Sequence, residues 1–340
     1  MAFLKPTGPF AIGSIIHSLL DTSRPSHLKN NRLGRRVTVK AWYPCNRIDG
    51  IKTERIWEEV RQNDQTPFPM KALLGCLRSR TSTLPFTPLS SKVITSSLVV
   101  YNHGLISFPS ENTSLMEELA SHGYVVMALA HAEQYAELQA LNRNQSSEKR
   151  KKDAALSKQI EKASQAEKAE LAVEYYGAST NTNQIVIERA RDTSYVLDHA
   201  NEVLELIPGY KANSINISSA NLAGFSIGGA VSTEASLQDH RVKSVVNLDG
   251  GMYGTNNGTQ TVVPYLMMYS SINAGMNDNL LPPHACQLIL PNSNHLNYHD
   301  ISILLPFLRY LRITGSTSPT TFIESRNKAV REFITTIEPA

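Results

Sequence analysis

The stretch "NLAGFSIGGA", residues 221–230, constrains the fold more than any other part of the chain. Gly224, Ser226 and Gly228 form the pattern G-x-S-x-G, and Gly229 and Ala230 follow. An apolar run leads into the serine, and small residues lead away from it. Such a pattern suits a sharp turn from a strand into a helix, where the neighbours two residues from the serine must be small. The turn lifts the serine hydroxyl above a sheet and gathers the following N–H groups near it. A glycine-rich strand–helix turn without chemistry is the plain alternative, so the surrounding pattern has to decide.

That pattern is one of alternating strands and helices. Residues 37–43, "VTVKAWY", alternate like a strand, and "SSLVVY" (96–101) is a short buried run ending at "NHG". "SLMEELASHGY" has helical spacing through Leu115, Leu119 and His122, closed by Gly123, and "YVVMALAH" (124–131) is a second buried strand. A strand–helix–strand unit of this kind builds a parallel sheet. After residue 185 the pattern returns. A helix is expected over "IVIERARDTSYVLDHANEV", with Ile187, Ala190, Tyr195 and Leu197 towards one side. Strands follow in "ISSANLAGFS", "VKSVVNLDG", "VVPYLMMYS" and "CQLILP". "HDISILLPFLRYLRI" reads as a helix kinked at Pro306, and "SRNKAVREFITTI" as the last helix.

With 340 residues, 41% of them hydrophobic, the chain suits a large α/β domain with a sizeable core. The expected architecture is a single domain over 1–340 with a mostly parallel sheet, helices on both faces, and an inserted helical lid over 132–185. Within that insert, residues 142–172 are rich in Lys, Glu, Ala and Gln, which favours helix. Their apolar positions are mostly alanine, so the buried stripe should be thin.

A formal charge of +3 with no basic stripe gives no sign of nucleic-acid binding. Three cysteines, Cys45, Cys76 and Cys286, without a C-x-x-C spacing, read as reduced thiols. The start, "MAFLKPTGPFAIG", lacks a secretory pattern, so a cytoplasmic protein is expected. No apolar run is long enough for a transmembrane helix. The basic residues at 149–152 leave peripheral contact with a membrane open.

A serine nucleophile needs a base, and the base needs an orienting acid. On α/β sheets of this kind the chain order is Ser, then Asp or Glu, then His. Asp249 ends the apolar run "VKSVVNLD", at the strand edge where such sheets bind ligands. Asp239 lies in a polar loop and Asp300 stands beside the candidate histidine, so both are weaker positions. Four histidines follow Ser226: His240, His284, His295 and His299. His295 lies just past the strand "CQLILP", where a loop can carry it over the serine. His299 is expected on the helix that follows. An oxyanion hole needs two N–H donors. Ile227, next to the serine, would supply one and Leu105, after "NHG", the other. His103, adjoining Gly104, fits a residue that holds the loop.

On these motifs the chain resembles the platelet-activating-factor acetylhydrolase family of α/β-hydrolases, close to the dienelactone-hydrolase-like esterases. The resemblance runs through "TGPFAIG", "VTVKAWYP", "NHGLISF", "LASHGYVVMALAH", "LAGFSIGGA", "VVNLDGGMYG" and "HLNYHD". It implies an α/β-hydrolase fold with Ser226, Asp249 and His295 as triad, Leu105 and Ile227 at the oxyanion positions, and Asp300 in support. The family usually has His where this chain has Phe225, placing Phe225 beside the pocket. The implied activity is hydrolysis of a small-molecule ester or lactone, with no metal or organic cofactor. Two rival readings are an acyltransferase or cyclase using the same acyl-enzyme, and a binding protein on a hydrolase scaffold.

Overall fold

The computed structural model describes residues 3–26, 32–62, 77, 79–92, 96–131, 146–255 and 261–337. Its strands are β1 (Ala11–Asp21), β2 (Arg35–Cys45), β3 (Thr83–Pro85), β4 (Ser96–Asn102), β5 (Val125–His131), β6 (Ile215–Phe225), β7 (Val242–Leu248), β8 (Tyr265–Ser270) and β9 (Cys286–Leu290). They form one sheet in the order β3-β1-β2-β5-β4-β6-β7-β8-β9. From β5 to β9 every neighbouring pair is parallel, while β2 runs antiparallel to both β1 and β5. The longer helices are α1 (Thr113–Ser121), α2 (Ser147–Lys162), α3 (Gln165–Ala178), α4 (Thr180–Asp198), α5 (Ile227–Gln238) and α6 (Pro319–Ile337). This is the mixed, mostly parallel α/β-hydrolase architecture that the strand–helix alternation called for.

Successive strand residues face opposite sides, so each buried strand serves two cores. Leu98 and Val100 of β4 pack with Val37 and Val39 of β2 and with Ala190, Val196 and Leu197 of α4. Val99 and Tyr101 face the other way, towards Leu115 and Leu119 of α1 and Phe322 and Val330 of α6. Burying a side chain such as Val99 or Leu119 contributes about 1.5–3 kcal/mol. Layers of this kind hold the sheet rigid beneath its loops.

The sheet order also places the functional loops. The chain leaves β4, pairs β5 on one side, and returns as β6 on the other side of β4. Loops at the carboxyl ends of β4 and β6 therefore diverge around a crevice, the usual ligand position in such sheets. Those two loops carry "NHGL" and "FSIG".

Several elements differ from their sequence expectation. The 142–172 segment is not one helix: within the described residues it is α2 and then α3, broken at Ala163–Ser164. The break is a capping box, with Ser164 accepting from the Glu167 N–H and Glu167 accepting from the Ser164 N–H. Residues 132–145 of the expected insert lie outside the described residues, as does Cys76. The thin stripe is as expected: α2 buries Leu156 and Ile160, and α3 buries Ala169, Ala172 and Tyr176. In α4, Ala190 and Leu197 are buried, but Ile187 and Tyr195 are only half-buried. Their place on the inner face is shared by Arg189 and Asp192, the latter bonded to Arg35 on β2 at 2.6 and 2.7 Å. Apolar spacing misses a face that buries a paired charge. The tail beyond Asp300 is not a kinked helix; it is a short turn of helix (Ile301–Leu304) and a 3-10 turn (Pro306–Arg309). Pro306 has no N–H to continue the first helix, so it ends there.

Helix α1 also buries a carboxylate. Glu117 accepts from the Ser82 N–H and the Thr83 hydroxyl, each at 2.6 Å, and so fastens edge strand β3. Burial pushes its carboxyl up to about 8. The folded state therefore binds a proton that the unfolded chain releases near its ordinary value. Stability from this group is fully present below that ordinary value and is lost as pH rises through about 8. Glu117→Gln cannot titrate. The stability gap between wild type and this variant should shift by a few kcal/mol between about pH 5 and about pH 9, to the disadvantage of the wild type at high pH. Urea unfolding of both proteins at the two pH values measures it, and a constant gap would refute it.

Candidate active site

The elbow forms because its glycines leave no room for side chains. A Cβ on Gly224 would lie 2.0 Å from the Gly228 carbonyl oxygen, and one on Gly228 would lie 2.0 Å from that of Asn102. Any larger residue would force the turn away from β4. Ser226 sits at φ 57° and ψ −125°, a backbone state that costs a non-glycine residue about 1–3 kcal/mol. Hydrogen bonds hold it there: the Ser226 N–H donates to Leu248 O at 3.0 Å, and the Gly229 N–H donates to Ser226 O at 3.0 Å. Ser226 is thereby fixed at the N-terminus of α5, where the helix dipole favours negative charge.

Asp249 follows β7, the sheet neighbour of β6, and also has a left-handed φ, 55°. Its carboxylate is buried and well supplied with donors. Oδ1 accepts from the Ser270 N–H at 2.6 Å, and Oδ2 from the Ser270 hydroxyl at 2.9 Å and the Asn273 amide at 2.8 Å. Those donors fix the side chain in place.

His295 begins a 3-10 turn, His295–Tyr298, beyond β9. Its Nδ1 lies 2.8 Å from Asp249 Oδ2, and its Nε2 lies 2.9 Å from Ser226 Oγ. The carboxylate can only accept, so Nδ1 carries the proton and Nε2 faces the serine as an acceptor. The imidazole stacks on the Phe225 ring at 4.7 Å, which fixes its plane. His299 is elsewhere. It is not helical but extended, between the 3-10 turn and the next helix. Its ring meets Trp57, Phe108 and Phe225, and its Nδ1 accepts from the Ile301 N–H at 2.9 Å. Burial, with help from Arg326 and His295, drives it down to about 3, so it stays neutral.

A cavity of about 460 Å³ opens at these three residues. Leu105, Ser226, Ile227, Asp249 and His295 all line it. Leu105 is exposed, while Ile227 is buried. Behind Leu105, His103 is buried, with Nδ1 2.7 Å from Gly104 O. Burial pushes His103 well below its ordinary value, assisted by His131 and Arg189. It is a neutral residue bonded to the backbone of its own loop. Asp300 does not line the cavity. It accepts from the Ser114 N–H and hydroxyl at 2.8 and 2.5 Å, tying the segment after His295 to α1.

Sequence patterns did not point to the far walls of the cavity. Tyr175 and Tyr176 come from α3, Ser157 from α2, and Tyr253, Met267 and Met276 from the sheet side. Tyr253 meets both α3 tyrosines edge-on, at 6.3 and 4.7 Å. Ser270 and Asn273, which hold Asp249, were missed too; neither carries a motif. The capping box at Ser164 was the one local signal that could have placed α3 and its paired tyrosines.

The arrangement has an attacking oxygen, a proton acceptor, an orienting carboxylate and an adjoining cavity. It suits nucleophilic attack on a carbonyl. The sequence profile of the family described as "Platelet-activating factor acetylhydrolase, isoform II" matches residues 3–337. Among solved structures, the chain is similar to a ferulic acid esterase from Streptomyces cinnamoneus, with a TM-score of 0.70 at 19% identity over 98% of this chain and 91% of that one. No curated protein sequence matches.

Proposed function

This chain belongs to the platelet-activating factor acetylhydrolase, isoform II, family and is a carboxylic ester hydrolase; we propose on that premise that it works through an acyl-serine intermediate. The observation that carries the reading is the Asp249–His295–Ser226 chain of contacts, 2.8 and 2.9 Å, at the mouth of the cavity. Ser226 Oγ attacks the acyl carbonyl while His295 Nε2 takes its proton. Asp249 holds the imidazole tautomer and stabilises the imidazolium. The tetrahedral oxyanion is met by the N–H groups of Leu105 and Ile227. His295 then returns the proton to the leaving alcohol, and the acyl-serine forms. A water, deprotonated by His295, attacks that ester; the acyl–Oγ bond breaks, His295 returns the proton to Ser226 Oγ, and the acid leaves.

The proposed substrate is a lipid-like acyl ester or a lactone of modest size. Tyr175, Tyr253, Met267 and Met276 offer an apolar wall for one moiety, and Asn273 and Asn277 a few polar contacts. Fluorophosphonate labelling, with mapping of the adduct, tests the nucleophile. A series of p-nitrophenyl esters from acetyl upwards, with a feruloyl ester beside it, tests the acyl pocket. The reading expects a free acid as product. Transfer of the acyl group to an added alcohol in preference to water would make the protein an acyltransferase instead.

Residues 146–178 are proposed as a lid. Ser157, Tyr175 and Tyr176 form part of the cavity wall, yet α2 buries few large side chains. Segments with few apolar contacts open at low free-energy cost. Replacing the insert by a short Gly/Ser linker should raise KM for long-chain esters by about tenfold or more and change that for p-nitrophenyl acetate by less than about threefold. Equal losses for both esters in a folded variant would count against a lid.

A further inference from the structure

The two peptide units that flank the Gly104 Cα are each held by a buried side chain. His103 Nδ1 lies 2.7 Å from Gly104 O, and the Gly104 N–H donates to Glu111 Oε1 at 2.9 Å. The His131 N–H reaches His103 Nε2 at 3.4 Å, which leaves the ring proton on Nδ1 as donor to that carbonyl. A peptide unit is planar and trans, so fixing the Gly104 carbonyl fixes the opposite direction of the Leu105 N–H. Glu111 fixes the preceding peptide plane and hence the approach of the chain.

Glu111 is itself anchored. The Tyr101 hydroxyl donates to Oε1 at 2.7 Å, and the Asn112 amide donates to Tyr101 at 2.6 Å. Arg326 of α6 donates to Asn112 Oδ1 at 2.7 Å and also to the carbonyl of Tyr298, in the turn that begins with His295. One buried chain of hydrogen bonds thus runs from the β4 loop to the turn bearing the base.

We propose that Glu111 is a positioning residue for the oxyanion hole: by holding the Gly104 N–H it sets the loop whose Leu105 N–H meets the tetrahedral oxyanion. This rests on the hydrolase reading above, which fluorophosphonate labelling of wild-type Ser226 tests separately. Deleting an oxyanion donor costs about 10²–10³ in kcat, and misplacing one should cost less. Burial raises the Glu111 carboxyl to about 7. The titratable and charged groups around it are Tyr101 on β4, Asp300 beyond β9 and Arg326 on α6. The ionised form is the stronger acceptor, so kcat should gain a component that rises as pH passes about 7.

The test is steady-state hydrolysis of p-nitrophenyl acetate by wild type, Glu111→Ala, Glu111→Gln and Tyr101→Phe, across the pH range. Glu111→Ala should lower kcat by about 10- to 100-fold with KM within about threefold. Glu111→Gln keeps an acceptor for the Gly104 N–H and should recover to within about fivefold, without the limb near 7. Tyr101→Phe keeps the Gly104 bond but removes one anchor of the carboxylate, and its loss should be smaller than that of Glu111→Ala. Wild-type kcat in Glu111→Ala would overturn the proposal, as would equal losses in all three variants. Should the alanine variant not fold, an unchanged pH profile in Glu111→Gln overturns it alone.

Discussion

Ser226→Ala is expected to lower kcat by roughly 10⁴ to 10⁶ and to leave the fold intact, as loss of a serine nucleophile does in other hydrolases. The fold should survive because the elbow is built by its neighbours. Gly224 and Gly228 give the turn its close approach, and the backbone bonds to Leu248 and Gly229 do not involve the hydroxyl. Alanine meets the same left-handed backbone with the same Cβ, so the strain is unchanged. Only the Oγ contact to His295 Nε2, at 2.9 Å, is lost. Circular dichroism and p-nitrophenyl ester hydrolysis check both halves of the expectation. A variant retaining more than about a tenth of the wild-type rate would mean that the nucleophile is another group.

His295→Ala should cost at least about 10³-fold in kcat, and His299→Ala less than about tenfold. The two histidines are four residues apart, but only the first reaches both partners. His295 spans Ser226 and Asp249; His299 packs its ring against Trp57, Phe108 and Phe225. Phe225 also stacks on His295, so removing His299 can loosen the base's support by a small amount. That indirect effect is the source of the sub-tenfold loss. The His299 variant should lose stability, since a half-buried ring, packed on three aromatic side chains, and its bond to the Ile301 N–H both go. The reverse ranking of the two rates would reassign the base and with it the turn His295–Tyr298.

Much of this protein is legible from short stretches of chain because the forces that shape them act locally. Steric crowding of Cβ atoms allows the turn at Ser226 only with glycine at 224 and 228. Two-residue alternation and apolar runs marked β2, β4, β5 and β7, and helical spacing marked α1 and α6. Chain order then selected Ser226, Asp249 and His295, because the carboxyl ends of parallel strands share one edge of the sheet.

Contacts between distant residues were decided by tertiary structure. His295 meets a serine 69 residues away, and only the sequence of strands β6, β7, β8 and β9 across the sheet brings the two together. Ser270 and Asn273 hold Asp249 because β8 ends beside β7. Tyr175 and Tyr176 become cavity walls through the packing of α3 against Tyr253. Glu111 supports the β4 loop through a buried hydrogen bond, and Asp192 pairs with an arginine 157 residues away. Periodicity records which residues avoid water. It carries no record of which buried polar group answers which, since that depends on strand order and register set by the whole core.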